Sequence, residues 1–296
     1  MRMMTTMLVF LFSAYFFSIN SFATCKLSRK SHQIIKNWPI NIQQKVSTNH
    51  NLELYQELIW LLQRVDGRIR DREVVIREYE RCLDVIMRSD YVVVEELSGI
   101  TRPKLIRFNH SKVMGVLKKS DRYSKVEAEV AAYEMGRHWG LNFIPKTILV
   151  NKKNNSIQYF VKNLIKIKDK KMPLRGTLMR DYLYMMVFDF LTTNFDRHNG
   201  NYFILKLAGK EMQMLVGIDH GLLWRKEWFD LYDPGTLLLW KKFIKDHQTD
   251  LPPKLKRQIV KVDWGMIVKL LNQGGINYRS PVILNRMITE LKTILK

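Results

Sequence analysis

The chain has 296 residues, of which 46% are hydrophobic and 26% charged, and its formal net charge is +21 at pH 7. This length is enough for a two-lobed unit with a sizeable core and an extension. The positive charge favours acidic proteins, anionic lipid headgroups or sulphated or phosphorylated glycans as partners, whereas the lack of a groove-reading or base-stacking motif argues against nucleic acid.

Residues 1–23 have the pattern of a cleavable signal peptide. Arg2 is their only charged residue, Leu8–Phe17 are a short apolar run, and Ser21–Ala23 include the small residues that signal peptidase prefers. The apolar run is short for a membrane span, so an uncleaved anchor is the less favoured interpretation. Removal of these 23 residues from 296 would leave 273, and the loss of Arg2 would lower the charge from +21 to +20. We therefore expect a secreted or periplasmic protein.

Residues 24–89 are predicted to form a helical N-terminal extension. Within them, residues 51–88 are rich in Leu, Ile, Glu and Arg and predict two helices on either side of Gly67. The two cysteines of the chain, Cys25 and Cys82, lie here, and an oxidising compartment would allow them to form a disulfide. A buried Cys82 with a loose terminal thiol at Cys25 fits the sequence equally well.

Residues 90–165 are predicted to form a small antiparallel sheet, the N-terminal lobe. Short apolar runs predict strands at Tyr91–Glu96, Lys104–Phe108, Lys112–Lys118, Lys146–Val150 and Ser156–Val161. The last two runs flank a polar turn and predict a hairpin. Lys118 is expected on the polar face of its strand, where its ammonium group would be available to phosphate, and Lys119 is the competing candidate.

A helix is predicted between the third strand and the hairpin. Ser124 and Glu127 have the spacing of a capping box at its N-terminus, and Gly140 is expected to end it. Apolar residues recur at helical spacing between these positions. Glu129 lies on this helix, where an ordinary exposed carboxylate is the alternative to a functional one.

Residues 166–296 are predicted to form a helical C-terminal lobe. The apolar residues of its first helix recur at helical spacing: Leu178, Tyr182, Met185, Met186 and Phe190. Asp189 falls at the end of this helix, where we expect it to brace the following loop, the alternative being an exposed turn. A basic cluster precedes the helix and lies either near the hinge between the lobes or in a solvated linker: Lys162, Lys166, Lys168, Lys170, Lys171 and Arg175.

The most informative polar segment follows that helix, from Phe188 to Asn201, and reads FDFLTTNFDRHNGN. A predicted hairpin over 201–216 then leads to a second carboxylate, Asp219. Phosphoryl transfer needs one carboxylate to orient and deprotonate the attacking hydroxyl, and an amide with another carboxylate to hold Mg²⁺ against the phosphate oxygens. Asp196, Asn201 and Asp219 supply these groups, and Asn201 follows Asp196 by five residues, as in kinase catalytic loops.

Arg197 and His198 lie beside Asp196 in this segment. Arg197 is expected to fix Asp196 or to contact a phosphate, and His198 to brace the loop backbone through its ring nitrogens. His198 is not expected to act as the general base, because Asp196 already occupies the position that should face the acceptor hydroxyl.

Two strings in this segment resemble known families. Asp-Phe-Leu-x-x-Asn-x-Asp-Arg-His, from Asp189 to His198, is similar to that of the four-jointed-type kinases of the secretory pathway. Asp-Arg-His-Asn-x-Asn, from Asp196 to Asn201, resembles the catalytic loop of phosphoinositide 3- and 4-kinases. The resemblance covers about residues 90–225. It implies an α+β, two-lobed protein-kinase-like fold, with a small antiparallel sheet lobe, a helical C-terminal lobe and a helical N-terminal extension.

The resemblance also extends to the predicted helix before the hairpin. Ala128–Tyr133 matches the helix whose glutamate pairs with the strand lysine, which implies that Lys118 and Glu129 form an ion pair against the α- and β-phosphates of ATP. Two positions depart from the pattern. Ser98–Thr101 replaces the glycine-rich phosphate loop, and His220 lies where related sequences often have Phe or Asn.

Together with the signal-peptide pattern at 1–23, which predicts export, the resemblance implies an exported kinase that depends on ATP and on Mg²⁺ or Mn²⁺ and transfers the γ-phosphate to a hydroxyl acceptor, preferably on a protein. One alternative is a lipid kinase acting on an inositol or similar headgroup, which the loop from Asp196 to Asn201 favours. The other is an inactive pseudokinase that binds anionic surfaces such as a membrane. Acidic proteins, lipid headgroups and glycans are all candidate acceptors, and the positive charge would also help to hold ATP.

Overall fold

The computed structural model describes residues 27–38, 40, 42–44, 55–64, 71–99, 101–109, 111–120, 124–150, 154–167, 176–192, 194, 196–198, 200–207, 212–221 and 241–246, with single residues at 251, 253, 256, 257, 265, 289, 292 and 293. The predicted signal peptide at 1–23, Cys25, Gly67 and the basic residues at 168, 170, 171 and 175 lie outside the described residues. The chain forms two compact units. One comprises residues up to 98 with 102–117 and 159–161, and the other comprises 99–101, 118–158 and 162 onward.

Three described helices begin the first unit: α1 (Arg29–Lys36), α2 (Tyr55–Arg64) and α3 (Arg72–Met87). Residues 55–62 of α2 are all buried, and α3 buries apolar residues at helical spacing, such as Val75, Tyr79 and Leu83. Tyr55 packs on Tyr79 with their ring centroids 5.4 Å apart. The predicted pair of helices over 51–88 is therefore confirmed. None of the described helices has the length and apolarity needed to cross a membrane.

Three strands follow in the first unit: β1 (Tyr91–Glu96), β2 (Lys104–Phe108) and β3 (Met114–Lys119). They pair antiparallel, with Tyr91 opposite Phe108 and Lys104 opposite Leu117. β1 and β2 have the predicted bounds. The last two residues of β3, Lys118 and Lys119, belong to the second unit.

The following elements lie in the second unit, except that Tyr159 at the end of β5 belongs to the first: α4 (Val126–His138), β4 (Thr147–Val150), β5 (Asn155–Tyr159), β6 (Ile165–Lys166), α5 (Gly176–Thr192), β7 (Tyr202–Leu207) and β8 (Met212–Gly217). A short helix at 241–246 is also described. β4 and β5 form the predicted hairpin, with Thr147 opposite Gln158. β6, β7 and β8 form a three-stranded sheet in that order. Tyr202 lies opposite Gly217, so the start of β7 and the end of β8 are adjacent.

The N-terminus of α4 is capped differently from the prediction. The predicted capping box of Ser124 and Glu127 is wrong, because the N-cap residue is Lys125 and its side chain makes no capping hydrogen bond. Ser120 supplies the cap instead: its Oγ accepts from the Val126 backbone N–H at 3.1 Å and lies 3.3 Å from Glu127 Oε2. At the other end, the predicted stop is confirmed, since Gly140 follows the helix with a positive φ of 69°.

The core of the second unit surrounds α5. Every residue of α5 from Met185 to Thr192 is buried, so the end of this helix is enclosed on all sides. Phe188 makes edge-to-face contacts with Trp139 and Phe143, at centroid distances of 6.1 and 5.7 Å. This packing gives the loop after α5 a rigid starting point.

Two further bonds involve the N-terminal helices. Glu57 of α2 accepts a hydrogen bond from Tyr159 Oη at 2.7 Å, across 102 residues of sequence and within the first unit. Both residues are buried. Cys82 of α3 is disulfide-bonded.

Candidate active site

The loop after α5 is organised by Asp189, whose side chain is fully buried. Arg197 donates to it twice, from Nε to Oδ2 at 2.8 Å and from Nη2 to Oδ1 at 3.0 Å. Asn194 Nδ2 donates to Oδ1 at 2.8 Å, and the Asn194 backbone N–H donates to the Asp189 carbonyl at 2.8 Å. A bidentate pair fixes geometry as well as charge, and these contacts agree with the expectation that Asp189 braces the loop.

Arg197 also connects this loop to the segment after β8. Its Nη1 donates to the carbonyls of Asn201 at 2.7 Å and Ile218 at 2.9 Å, and its Nη2 lies 3.0 Å from His220 Nε2. The side chain is 2% exposed. Each guanidinium nitrogen has a partner inside the protein, so Arg197 positions the two segments through Asp189 rather than by contact with Asp196.

Asp196 and Asn201 contact each other in the same loop. Asn201 Nδ2 donates to the Asp196 carbonyl at 2.8 Å and to Asp196 Oδ2 at 3.2 Å. The Asp196 side chain is 39% exposed, whereas Asn201 is buried. His198 is 62% exposed, and its Nδ1 accepts from the Gly200 backbone N–H at 3.0 Å, as expected of a residue that braces the loop.

A second group of charges lies around Lys118, at the end of β3. Lys118 Nζ donates to Glu129 Oε1 of α4 at 2.5 Å, and lies 3.6 Å from Asp219 Oδ1. Glu129 is fully buried and the Asp219 side chain is 49% exposed. The neighbouring Lys119 is exposed at the end of the strand. The structure therefore selects Lys118 over Lys119 as the partner of Glu129.

The electrostatic environment of these residues follows from their burial and neighbours. Burial alone would lower the pKa of Lys118, but the carboxylates of Glu129 and Asp219 raise it above its ordinary value. Burial, with the positive charges of Arg197 and Lys118, lowers the pKa of His220 well below its ordinary value. At neutral pH Lys118 is therefore charged and His220 is neutral.

The segment from Asp219 to Gly221 has an unusual backbone and a close approach to α4. Asp219 has a positive φ of 59°, a conformation that non-glycine residues seldom adopt. The Gly221 carbonyl accepts from the Lys125 backbone N–H at 2.8 Å. A Cβ atom on Gly221 would overlap Ser124 Oγ, so a larger residue would require at least the Ser124 side chain to move.

The sequence model of the phosphatidylinositol 3- and 4-kinase family matches residues 86–262, more than half of the chain. The chain belongs to this family. It is therefore a kinase, that is, a phosphotransferase with an alcohol group as acceptor. The described helices and antiparallel strands confirm the predicted α+β fold class.

No curated protein matches the kinase. The crystal structure of a Helicobacter pylori proinflammatory kinase, CtkA, is similar, with 14% sequence identity, coverage of 70% of this chain and 90% of that chain, and a TM-score of 0.39.

Kinases of this family use ATP and a divalent metal ion, and the oxygen donors of this chain fit such an ion. Mg²⁺ usually takes one or two protein ligands and completes its shell with water and phosphate oxygens. Asn201 and Asp219 offer an amide and a carboxylate oxygen, and the Ile218 backbone N–H donates to the Asn201 carbonyl at 2.9 Å, which brings their segments together. Among the described residues no group of three or more His, Cys, Asp or Glu side chains could hold a metal.

The kinase brings its sequence-predicted site residues together in the second unit as two connected groups: Lys118, Glu129 and Asp219 in one, and Asp196, His198 and Asn201 in the other, with Arg197 connecting their segments. Neither Asn194 nor His220 was predicted to have a role in the site. The sequence signal for Asn194 was its place as the specified Asn in the string from Asp189 to His198. His220 was visible only as a departure from related sequences.

Proposed function

We propose that the protein is an exported kinase that depends on ATP and a divalent metal, and that transfers the γ-phosphate to a hydroxyl group on a protein. The observation that carries the proposal is the placement of Lys118, 2.5 Å from Glu129 Oε1 and 3.6 Å from Asp219 Oδ1. A charged lysine held between a buried carboxylate and a half-exposed one can exchange the second contact for phosphate oxygens.

In this proposal Lys118 binds the α- and β-phosphates of ATP, and Glu129 orients the ammonium group. Glu129 is fully buried, so its direction is set by α4 rather than by solvent. Asn201 and Asp219 would hold the metal ion, which neutralises the negative charge that develops on the phosphate oxygens. About half of the Asp219 side chain is exposed, which leaves room for the metal ion.

Asp196 is proposed as the proton acceptor. The acceptor hydroxyl oxygen forms a bond to the γ-phosphorus while the bond from that phosphorus to the β–γ bridging oxygen breaks, and ADP leaves. The hydroxyl proton passes to the Asp196 carboxylate. Two features support this role: the side chain is 39% exposed, and the Asn201 amide holds one of its oxygens at 3.2 Å.

The nature of the acceptor rests on the sequence. The string from Asp189 to His198 resembles kinases of the secretory pathway, and the signal-peptide pattern at 1–23 supports export, so a protein acceptor is proposed. The family model is named for enzymes of phosphatidylinositol, which supports a lipid headgroup as the second candidate. The charge of +20 after removal of residues 1–23, which carry only Arg2 of the total of +21, suits acidic proteins and anionic membrane surfaces alike.

The test uses the purified protein with labelled ATP, Mg²⁺ or Mn²⁺, and three acceptor panels: acidic proteins, phosphatidylinositol vesicles and glycans. Label transfer to proteins supports the proposal, and transfer to lipid alone replaces it by the second candidate. Wild-type protein that binds neither ATP nor metal and transfers no label, yet binds anionic vesicles, would identify a pseudokinase.

Two neighbouring lysines provide a matched pair of variants for the nucleotide site. In the wild type, ATP with Mg²⁺ at 100 times its Kd should raise the free energy of unfolding by about 2.7 kcal/mol and so raise the melting temperature. Lys118→Ala should remove most of this stabilisation. Lys119→Ala should keep it, because that side chain is exposed at the end of β3. Differential scanning fluorimetry with and without nucleotide measures both, and an equal loss in the two variants would contradict the assignment of Lys118.

A further inference from the structure

His220 occupies a fully buried position between the two groups of site residues. Its ring packs edge-to-face on Phe188 of α5, with centroids 5.9 Å apart at 86°. Nε2 lies 3.0 Å from Arg197 Nη2, and Nδ1 lies 3.9 Å from Glu129 Oε2. The imidazole therefore stands between the arginine that organises the loop after α5 and the glutamate that holds Lys118.

The two atoms that face each other across 3.9 Å are both unsatisfied. His220 Nδ1 and Glu129 Oε2 are buried and have no hydrogen-bond partner among the described residues. Buried polar atoms are rarely left in this state. The other oxygen of the carboxylate, Oε1, is the one that accepts from Lys118.

The position of the ring proton follows from Arg197. A guanidinium group only donates hydrogen bonds, so His220 Nε2 accepts from Arg197 Nη2 and carries no proton. In the neutral ring the proton is then on Nδ1, which faces Glu129 Oε2. A donor and an acceptor therefore point at each other, and a shift of about 1 Å brings them to hydrogen-bond distance.

The backbone on either side keeps these two side chains in register. The Gly221 carbonyl oxygen accepts a hydrogen bond from the Lys125 N–H at the start of α4, the helix that carries Glu129. Ile218, on the other side of His220, is held by Arg197 Nη1 through its carbonyl oxygen at 2.9 Å. His220 cannot move far from Glu129 without breaking one of these bonds.

We propose that His220 is a positioning residue for the nucleotide site: with or without bound ATP, its Nδ1–H donates to Glu129 Oε2 in solution and so directs Oε1 towards Lys118. The loop braced by Asp189 and the lysine that binds phosphate are thereby joined through Arg197, His220 and Glu129. This inference rests on the proposed function in assigning Lys118 to the phosphates of ATP.

Three substitutions of His220 test the contact of Nδ1 with Glu129 separately from the contact of Nε2 with Arg197. In His220→Asn the amide nitrogen can take the place of Nδ1 towards Glu129, whereas in His220→Gln the longer side chain reaches the place of Nε2 near Arg197. His220→Phe keeps the bulk and removes both polar atoms. We expect the His220→Phe and His220→Gln variants to bind ATP about tenfold more weakly than wild type, which is the value of one hydrogen bond. The ATP affinity of His220→Asn should stay within about threefold of wild type. Isothermal titration calorimetry with ATP and Mg²⁺ measures these affinities.

Equal losses for Asn, Gln and Phe would overturn the proposal, because only the Asn variant retains a donor towards Glu129. A purely structural role would instead lower the melting temperature of Asn and Gln alike without separating their ATP affinities. Adding Glu129→Ala provides a second check: in that background His220→Phe should cause no further loss of ATP affinity.

A thermal-unfolding cycle of His220→Phe and Glu129→Ala without nucleotide keeps this test separate from that of the proposed function. Non-additive losses of stability support the contact, and additive losses overturn it. Wild-type protein that binds no ATP would refute the proposed function, and the unfolding cycle would still decide whether His220 and Glu129 interact.

Discussion

The candidate site has an inner and an outer region that differ in burial and in hydrogen bonding. The inner region consists of Asp189, Asn194 and Arg197, whose side chains are 0–2% exposed, and both Asn194 and Arg197 donate hydrogen bonds to Asp189. The outer region consists of Asp196, His198 and Asp219, whose side chains are 39%, 62% and 49% exposed. Both regions contain carboxylates, but only those of the outer region are accessible to a substrate or an ion.

This difference separates support from chemistry within one loop. Asp189 and Asp196 are seven positions apart in sequence, yet one is enclosed by donors and the other faces solvent. Removing a group from a buried, paired network leaves its partner unsatisfied and costs stability. Removing an exposed carboxylate costs little stability and, if it acts in the reaction, much activity.

The largest expected effect belongs to Asp219 in the outer region. Asp219→Ala should reduce phosphoryl transfer to background and abolish the metal dependence of nucleotide binding, because the triphosphate would lose its bridging ion. Titration of ATP at several Mg²⁺ concentrations measures this dependence. Asp246→Ala, an exposed aspartate on the short helix at 241–246, is the matched control and should leave both properties unchanged. Metal-dependent binding that survives in Asp219→Ala would refute its assignment as a ligand.

The next effect concerns Asp196 and separates the reaction from binding. Asp196→Asn keeps the size of the side chain but removes the proton acceptor, so turnover should fall by roughly 10²- to 10⁴-fold. ATP affinity in the presence of Mg²⁺ should stay close to wild type, and so should the melting temperature, because the side chain is 39% exposed. Single-turnover kinetics and calorimetry test the two parts, and a variant with full turnover would mean that the proton has another acceptor.

The same substitution in the inner region should act on stability instead. Asp189→Asn leaves the Arg197 guanidinium buried without its anionic partner, and we expect a loss of about 3–5 kcal/mol in the free energy of unfolding. Urea denaturation of Asp189→Asn and Asp196→Asn provides the direct comparison. If both variants unfold at the same urea concentration, the division into inner and outer regions is wrong.

The smallest effect is expected at His198. His198→Ala removes one exposed hydrogen bond, from the Gly200 N–H to Nδ1, which is worth about 1 kcal/mol or less. Turnover should change only severalfold, with the pH dependence of the rate preserved. A loss as large as that of Asp196→Asn would instead identify His198 as the group that accepts the proton, since its Nε2 lies 3.9 Å from Asp196 Oδ1.

The elements with local sequence signals were predictable. β1 and β2 have the predicted bounds because each is a short run rich in β-branched or aromatic residues with turn-forming residues on both sides, such as Asp90, Ser98 and Asn109. Gly140 ends α4 because few other residues adopt its positive φ without strain. The spacing of Asp196 and Asn201 was also informative, since their side chains contact each other across five residues.

The contacts that were missed depend on folding rather than on local spacing. The cap of α4 comes from Ser120, six residues before Val126, whereas the predicted capping box involved only Ser124 and Glu127. The role of Arg197 was also hidden, because its partners Asp189 and Ile218 become neighbours only after β7 and β8 have paired. No role was predicted for His220, because related sequences often have Phe or Asn at this position.

The hydrogen bond between Tyr159 and Glu57 has a consequence for where this kinase can be cut. The family match starts at residue 86, inside α3, and Glu57 lies well before it. A chain trimmed to the matched residues would keep Tyr159 but remove Glu57, and would therefore lose this buried hydrogen bond. The start of the match marks where sequence similarity begins, and we expect a piece that also contains α2 to be more stable than one that starts at residue 86.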